Sequence, residues 1–223
     1  MAEAAIRLSK YLSEQGLASR READAWIEKG WVKIDGHVAQ IGEKIVPGQR
    51  VQISSKARQA QNQQVTILLN KPVGYVSGQA EDGYEPAKVL ITEANHWVAD
   101  PSTERFHPRQ LLHLVPAGRL DIDSVGLLVL TQNGRIAKNI IGETSSIEKE
   151  YIVRVVSMDG SRPCLSADQL ALLNHGLELD GKPLMPAQVS WLNGDELRFI
   201  LQEGKKRQIR RMCEAVGLKV LRL

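Results

Sequence analysis

Apolar residues recur at helical spacing in two short stretches near the start of the chain, and strand-like alternation follows them. A glycine closes each of the two predicted helices. Ser19 and Glu22 are spaced as a capping box at the start of the second helix. Asp35-Gly36 marks a hairpin turn, and the segment RVQI ends the region as a strand. The apolar positions that define the two helices are Leu8, Tyr11, Leu12, Ala23, Trp26 and Ile27.

A polar segment, SSKARQAQNQQ at residues 54–64, follows this region and contains no large apolar residue. Because it separates two stretches of strong periodicity, it predicts a flexible linker. The predicted domains are therefore residues 1–53 and residues 65–223. A core of about 50 residues is marginal alone, so we expect the small domain to gain stability from a partner surface.

The larger region alternates apolar strands with turns. Residues 65–69 predict a buried strand that ends in a turn at Asn70-Lys71-Pro72, and residues 127–130 predict a second buried strand. A turn at Asn133-Gly134 and a helix over residues 135–141 follow the second strand. Lys71, at the end of an apolar strand, indicates either a phosphate-binding lysine or a turn lysine that faces water.

The composition is that of a folded protein, with 43% hydrophobic and 25% charged residues, which excludes wholesale disorder. No apolar run approaches the ~18–20 residues that span a bilayer, and MAEAAIRLSK lacks the features of a secretory signal. Cys164 and Cys213 lie far apart, which argues against a disulfide framework or a cysteine-rich zinc site and fits a reducing cytoplasm. His96, His107 and His113 match no metal-binding spacing, so we expect no metal site.

Basic charge is concentrated at the two ends of the chain. Residues 1–60 carry a net charge of +3, residues 61–203 carry −6 and residues 204–223 carry +6. Such a distribution is typical of chain ends that meet a polyanion, although a solubilising tail would have the same charges. The basic residues of the first region form either a phosphate-binding face or a solvated helical surface; they are Arg7, Lys10, Arg20, Arg21, Lys29 and Lys33.

Arg20 and Arg21 stand in the first turn of the second helix, where cations oppose the helix dipole, so local stability does not explain them. The segment IRLSKYLSEQGLASRREADAWIEKGWVKIDG resembles the S4 RNA-binding module, and the match extends over residues 6–53. This resemblance implies that the basic helix pair contacts RNA. It therefore favours a phosphate-binding face.

Two carboxylates, Asp121 and Asp123, precede the second apolar strand in the segment GRLDIDSVGLLVLTQNG. Carboxylates at this spacing are compatible with acid–base chemistry or Mg²⁺ binding, and equally with a loop cap. Residues i and i+2 share one side of an extended stretch, whereas a turn separates them. The spacing alone leaves these interpretations open.

The same segment resembles the signature of the RsuA-like ribosomal pseudouridine synthases, G-R-L-D-x-x-(S/T)-x-G-L-L-hydrophobic-L-T-x-(D/N)-G. Three further blocks resemble that family in the same order: LNKPVG at residues 69–74, EKEYIVRV at 148–155 and GKKRQIRRMCEAVGLKV at 204–220. Two departures stand out. The family chain normally continues beyond LKVLRL, so we expect a truncated chain or a shortened sheet edge, and residues 95–115 look longer than their counterpart.

The resemblance implies a cofactor-free isomerisation of uridine in RNA. It assigns the catalytic carboxylate to Asp121 and the guanidinium that accompanies it to Arg210. Tyr151 falls where the family places an aromatic ring against the target base, and Arg119 falls where an arginine helps displace that base. Lys71 lies in the first motif, where we expect it to bind substrate. No family role transfers to Asp123, which we interpret as a loop cap.

We therefore expect an α+β protein: a small S4 RNA-binding domain, a linker, and a pseudouridine-synthase domain with a mixed, mostly antiparallel sheet flanked by helices. The expected partner is ribosomal RNA, with 23S favoured over 16S and tRNA, together with ribosome assembly intermediates. We expect a cytoplasmic monomer with no cofactor and no membrane partner. The alternatives are the same chemistry on 16S rRNA or tRNA, or a non-catalytic RNA-binding ribosome assembly factor.

Overall fold

The computed structural model describes residues 5–142 and 145–223. The chain divides into two compact units that interleave along the sequence. The first unit combines the N-terminal segment up to Leu69 with Ala87–Arg119 and Leu128–Gly142. The second combines Asn70–Pro86 and Leu120–Leu127 with the segment that ends at Leu223.

The N-terminal part of the first unit has the predicted order of helix, helix, hairpin and strand, with two additional short strands. Its elements are β1 (Ile6–Arg7), α1 (Leu8–Glu14), α2 (Arg20–Glu28), β2 (Val32–Ile34), β3 (His37–Val38), β4 (Lys44–Ile45) and β5 (Val51–Ile53). The capping box is confirmed, since the Glu22 backbone N–H donates to the Ser19 hydroxyl and the Ser19 backbone N–H donates to the Glu22 carboxylate. The predicted stripes form its core, in which Leu8, Leu12 and Ala23 are fully buried.

The segment predicted as a flexible linker is a helix, α3 (Ser55–Asn62). The Ser54 hydroxyl caps its first turn, and Ala57 is fully buried in the same core as α1 and α2. The side chains of Gln61 and Gln64 donate hydrogen bonds of 3.2 Å and 2.9 Å to the Glu22 carboxylate. Polar composition suggested a linker, but one small apolar residue and two amide groups attach this segment to the core formed by α1 and α2.

A three-stranded sheet has the order β6-β8-β7. Its strands are β6 (Thr66–Lys71), β7 (Val115–Pro116) and β8 (Gly126–Thr131), and α4 (Gly134–Ile141) follows β8. The Asn133 side chain caps α4 by accepting from the Arg135 backbone N–H at 3.0 Å, so the predicted Asn-Gly turn also begins the helix. Three 3-10 turns, Ala87–Leu90, Glu93–Asn95 and Pro108–Leu111, lie in the intervening stretch.

The second unit is built on an antiparallel sheet in the order β12-β13-β9-β14. Its elements are β9 (Lys149–Ser157), α5 (Ala167–Asn174), β10 (Glu178–Leu179), β11 (Lys182–Pro183), β12 (Gln188–Trp191), β13 (Glu196–Leu201), α6 (Gln208–Ala215) and β14 (Leu218–Arg222). One core cluster contains Val153 and Phe199 of the sheet together with Leu173 of α5 and Met212 of α6. Both helices therefore cover the same face, while Ile152 on the opposite face is 45% exposed.

Candidate active site

The segment Leu120–Leu127 of the second unit carries both carboxylates, and a tight turn separates them. The Ser124 backbone N–H donates to the Asp121 carbonyl at 3.1 Å, which places Asp123 at a central turn position. A side chain at the start of such a turn and one at its centre point in different directions. The turn therefore assigns the two carboxylates to different surroundings.

Hydrogen bonds from the two other segments of the second unit hold this loop. The Ser77 hydroxyl bonds both the carbonyl and the N–H of Leu120, at 2.8 Å and 2.9 Å. The Gly74 N–H donates to the Ile122 carbonyl at 2.9 Å, and the Val125 N–H donates to the Leu223 carbonyl at 2.8 Å. The backbone around Asp121 is thus fixed on both sides, which is what a group that must meet a reacting atom requires.

Lys71 is the most deeply buried of these anchors, with no exposed surface. Its ammonium donates to the carbonyls of Pro72 at 2.8 Å and Ser124 at 3.0 Å. Burial lowers the pKa of Lys71, and the negative charges of Asp123 and Asp121 oppose that shift. Neither predicted role describes this arrangement, because a buried ammonium bound to two carbonyls is presented neither to a phosphate nor to water. In this structure Lys71 anchors the loop.

The Asp123 carboxylate forms ion pairs with two arginine side chains of the last motif. The two terminal nitrogens of Arg207 lie 3.3 Å from its two carboxylate oxygens. Arg210 Nη2 lies 3.1 Å from Oδ2 and 3.0 Å from the Asp123 carbonyl oxygen. Burial raises the pKa of Asp123, but the bond from Arg207 and the charges of both arginines outweigh it and hold the pKa below its usual value. Besides the loop-cap role expected from the sequence, the Asp123 carboxylate binds Arg210 of α6 and Arg207, which directly precedes that helix.

Arg210 is placed differently from what the resemblance implied. It is buried, and its side chain contacts Asp123 and the Val220 carbonyl, at 3.4 Å from Nη1. Asp121 makes no ion pair with any residue in the described parts of the chain. The cation predicted for Asp121 thus lies in the same unit but pairs with the carboxylate two residues later.

The charge of Asp121 affects the pKa of the Tyr151 phenol, and both residues lie in the second unit. Tyr151 lies near the start of β9, opposite Phe199 of β13, and its ring packs against the main core. Burial raises the pKa of the phenol, and the charge of Asp121 raises it further. Both effects favour the protonated phenol, and the partly buried ring lies at the edge of the core of the second unit.

The remaining predicted residues lie in the first unit. Arg119 is exposed and follows Gly118, whose φ of 115° is one that L side chains rarely adopt. All six basic residues of the S4 module are exposed: Arg7, Lys10, Arg20, Arg21, Lys29 and Lys33. Lys10 lies 3.6 Å from Glu14, and the Lys29 ammonium lies 4.8 Å from the centre of the Trp31 ring.

Two residues of the site went unnoticed in the sequence, Arg207 and Ser77. Arg207 lies in the last motif beside two other arginines, and nothing in its spacing distinguishes it from them. Ser77 lies just after the first motif, in the segment YVSG, where nothing in the pattern marks it. No group of three or more His, Cys, Asp or Glu side chains within residues 5–142 and 145–223 could hold a metal ion. No helix in those ranges is long and apolar enough to cross a membrane.

Comparison with known proteins finds a matching family for each of the two parts of the chain. Residues 65–215 match the model of a family described as RNA pseudouridylate synthase, and residues 6–51 match the S4 domain model. A dual-specificity RNA pseudouridine synthase, RluF of Escherichia coli strain K12, is 36% identical over 224 residues, which cover 99% of this chain and 69% of that protein.

Two other relatives and one solved structure also match nearly the whole of this chain. An uncharacterized RNA pseudouridine synthase of Aquifex aeolicus is 33% identical, over 98% of this chain and 83% of that protein. Ribosomal large subunit pseudouridine synthase B of Xylella fastidiosa strain Temecula1 is 29% identical, over 97% of this chain and 44% of that protein. A crystal structure of a pseudouridylate synthase shares the fold, with a TM-score of 0.60 and 24% identity over 97% of this chain and 85% of that one.

Proposed function

This chain belongs to the RNA pseudouridylate synthase family, and we propose that it uses Asp121 to convert uridine to pseudouridine in large-subunit ribosomal RNA. The match to the synthase family and to the S4 domain confirms the resemblance drawn from the motifs. The α+β fold predicted from the sequence is confirmed as well. RNA is its substrate.

The reaction is an isomerisation within one nucleotide. The N1–C1′ glycosidic bond of uridine breaks, the base turns, and a C5–C1′ bond forms. The hydrogen on C5 leaves, and N1, which has no hydrogen in uridine, gains one, so the product has the same composition as the substrate. An ionised carboxylate can serve this reaction as a nucleophile toward the sugar or as a base that takes a proton from it.

The observation that carries the assignment is the different environment of the two carboxylates. Asp123 is occupied by Arg207 and Arg210, whereas Asp121 has no ion pair among the described residues and lies on a backbone anchored by Lys71. Its charge reaches the ring of Tyr151. Asp121 lies on an anchored backbone, stays outside the ion pairs of Arg207 and Arg210, and is the aspartate of the G-R-L-D motif, so we assign the reacting group to Asp121 and not to Asp123.

The S4 module supports binding of a structured RNA. Among its six exposed basic residues, Arg7, Arg20, Arg21 and Lys33 form no ion pair with a described residue, so their charges remain available to phosphates. A relative named for the ribosomal large subunit favours 23S rRNA, and a relative named as dual-specificity keeps a second RNA open. We also infer that the protein acts as a cytoplasmic monomer on ribosomal RNA or on ribosome assembly intermediates.

Release of tritium from C5-labelled uridine tests the activity, since that hydrogen must leave when C5 becomes the glycosidic carbon. Transcripts of 23S rRNA, 16S rRNA and tRNA would be compared, and we expect release from the 23S transcript. Asp121→Asn keeps the size of the side chain but removes its charge, so it should bind RNA and release no tritium. Asp168→Asn, at an exposed position on α5, is the matched control.

Three results would separate the alternatives. Release from 16S rRNA or tRNA alone would overturn the 23S substrate. RNA binding without release from any transcript or from precursor ribosomes would favour a non-catalytic assembly factor. Release by Asp121→Asn at the wild-type rate would remove Asp121 as the catalytic carboxylate.

A further inference from the structure

Residues 95–115, the segment expected to be longer than its counterpart in the family, expose side chains that the proposed reaction does not use. The Trp97 side chain is 68% exposed, and its neighbour Val98 is fully exposed. Tryptophan is highly buried on average in folded proteins, because its large ring gains most from leaving water. A ring that is left in water beside a second apolar side chain favours a surface that another molecule covers.

Hydrogen bonds hold Trp97 in a defined turn. The Asp100 backbone N–H donates to the Trp97 carbonyl at 3.0 Å, and the ring of His96 lies 3.0 Å from the Asp100 carboxylate. The Ser102 N–H donates to the other oxygen of that carboxylate at 2.8 Å. Because the turn is already ordered, a contact made by the ring loses less conformational entropy than one made by a flexible loop.

Two arginines of the same segment, Arg105 and Arg109, are exposed and lie in and beside the 3-10 turn Pro108–Leu111. Neither forms an ion pair with any residue of 5–142 or 145–223, and the adjacent Glu104 pairs with neither of them. The Gln110 side chain donates to the Arg105 carbonyl at 3.3 Å, which fixes the backbone between the two arginines. Both guanidinium groups are therefore available to phosphate oxygens.

The side chain of Gln132, at the end of β8, anchors this 3-10 turn. Its amide nitrogen donates to the carbonyls of Gln110 at 3.0 Å and Leu112 at 2.8 Å. Its oxygen accepts from the Val65 backbone N–H at 2.9 Å, where the chain leaves α3 for β6. All of these residues belong to the first unit, so the turn is attached to the part of the chain that also contains the S4 module.

The connection that follows Gln132 contacts the S4 module directly. A Cβ at Gly134 would lie 2.5 Å from the Cβ of Ser19, so only a glycine fits here without displacement. The Arg135 side chain donates to the Gly16 carbonyl at 3.1 Å. Ser19 begins α2, whose first turn carries two exposed arginines. The basic helix of the S4 module and the 3-10 turn are thus attached to residues two positions apart.

We propose that residues 95–115 extend the RNA-binding surface of the S4 module, with Arg105 and Arg109 on backbone phosphates and the Trp97 ring stacked on an unpaired base. The identity of this RNA rests on the proposed function. RNA is favoured over a protein partner because the segment is attached beside a basic helix of an RNA-binding module. Guanidinium groups and an exposed indole are also the groups that bind phosphates and bases.

The test measures the dissociation constant of a 23S rRNA transcript at several KCl concentrations, together with single-turnover tritium release at saturating RNA. Arg105→Ala/Arg109→Ala should weaken binding and reduce the salt dependence by roughly one slope unit per lost phosphate contact, with a rate close to that of wild type. Arg154→Ala/Arg162→Ala removes two exposed arginines of the second unit and should keep the wild-type slope. Unchanged affinity and slope in the first variant would overturn the phosphate contacts.

Trp97→Ala should weaken binding about fivefold or more and leave the salt slope unchanged, because stacking is not electrostatic screening of phosphates. Trp97→Phe keeps an aromatic ring and should recover part of the affinity. Leu192→Ala, at a half-exposed apolar position of the second unit, is the control. On a fully paired RNA duplex, Trp97→Ala should bind like wild type, since no base is free to stack.

Unchanged affinity of Trp97→Ala for the transcript would overturn the stacking contact and favour a protein partner for the exposed ring. An equal loss on the paired duplex would overturn stacking on an unpaired base. Absence of tritium release by the wild-type protein from every transcript would instead contradict the proposed function, while the binding measurements would still decide whether residues 95–115 contact RNA.

Discussion

The ammonium of Lys71 lies 3.0 Å from the carbonyl oxygen of Ser124, so the end of β6 holds the loop that carries Asp121. The two residues are 53 positions apart, and both are fully buried. A lysine in such a place normally costs free energy unless its charge is satisfied, and here two carbonyls satisfy it. The loop that carries Asp121 is thus held by the buried ammonium of the first motif.

Replacement of Lys71 by methionine tests this anchoring role. Lys71→Met keeps the length of the side chain but removes the ammonium, so we expect the single-turnover rate to fall about tenfold or more. The free energy of unfolding should change by less than about 2 kcal/mol, because the lost hydrogen bonds are offset by the removal of a buried charge. Lys88→Met, at an exposed position, is the control. A wild-type rate in Lys71→Met would contradict the anchoring role.

The ion pairs of Asp123 predict a dependence of stability on pH. Its pKa is lowered in the folded protein, so the pairs stabilise the fold above the unfolded pKa of about 4 and lose that contribution as the pH falls through the folded value. Urea unfolding of wild type and Asp123→Asn should therefore differ at pH 7 and converge toward acid. The difference should stay below about 1 kcal/mol, since the carboxylate is half-exposed. A difference that grows toward acid would reverse this sign.

Glu22 joins the S4 module to α3. Its carboxylate accepts from the Ser19 backbone and from the side chains of Gln61 and Gln64. Glu22→Ala removes a capping box and these bonds together, so we expect about 1–3 kcal/mol of destabilisation of this part of the chain, measured by denaturant unfolding. Glu28→Ala, exposed at the end of the same helix, should change the stability by less than about 0.5 kcal/mol. Equal effects would show that α3 is not held through Glu22.

Arg20 and Arg21 test the S4 module as an RNA-binding surface. The double variant Arg20→Ala/Arg21→Ala should weaken RNA binding and reduce the salt dependence of affinity by roughly one slope unit per lost phosphate contact. The single-turnover rate at saturating RNA should stay close to that of wild type. Arg154→Ala, whose side chain pairs with Asp195 on the sheet of the second unit, is the control. Unchanged affinity and slope would contradict the proposed contact.

The two cysteines should react differently with thiol reagents. Cys164 is exposed, whereas Cys213 is fully buried and its burial raises the thiol pKa to about 12. Because the thiolate is the reactive form, iodoacetamide at pH 8 should label Cys164 alone in the folded protein and both residues in urea. Mass spectrometry of the labelled peptides reads the result. Rapid native labelling of Cys213 would show that the α6 packing opens readily.

The local sequence pattern was enough to predict the helices, caps and turns that are stabilised by residues close to them along the chain. The helix stripes, the capping box at Ser19 and the hairpin at Asp35-Gly36 depend on residues a few positions apart, and the structure has all of them. The order of the four motifs was sufficient to identify the family. These features could be predicted from the sequence because helix periodicity, caps and turns depend on residues that are neighbours along the chain.

Only the tertiary structure decided which polar groups meet. The segment of residues 54–64 looked like a linker because a single alanine in a polar stretch does not indicate a buried face. Only the folded structure places Ala57 inside the S4 core. Lys71 turned inward and not toward phosphate or water because the Ser124 carbonyl, far along the chain, accepts a hydrogen bond from its ammonium. Asp123 binds two arginines that lie more than 80 positions later in the chain, while Asp121 binds neither of them. Two residues apart, the carboxylates are equivalent in sequence, and a turn together with distant charges makes them different.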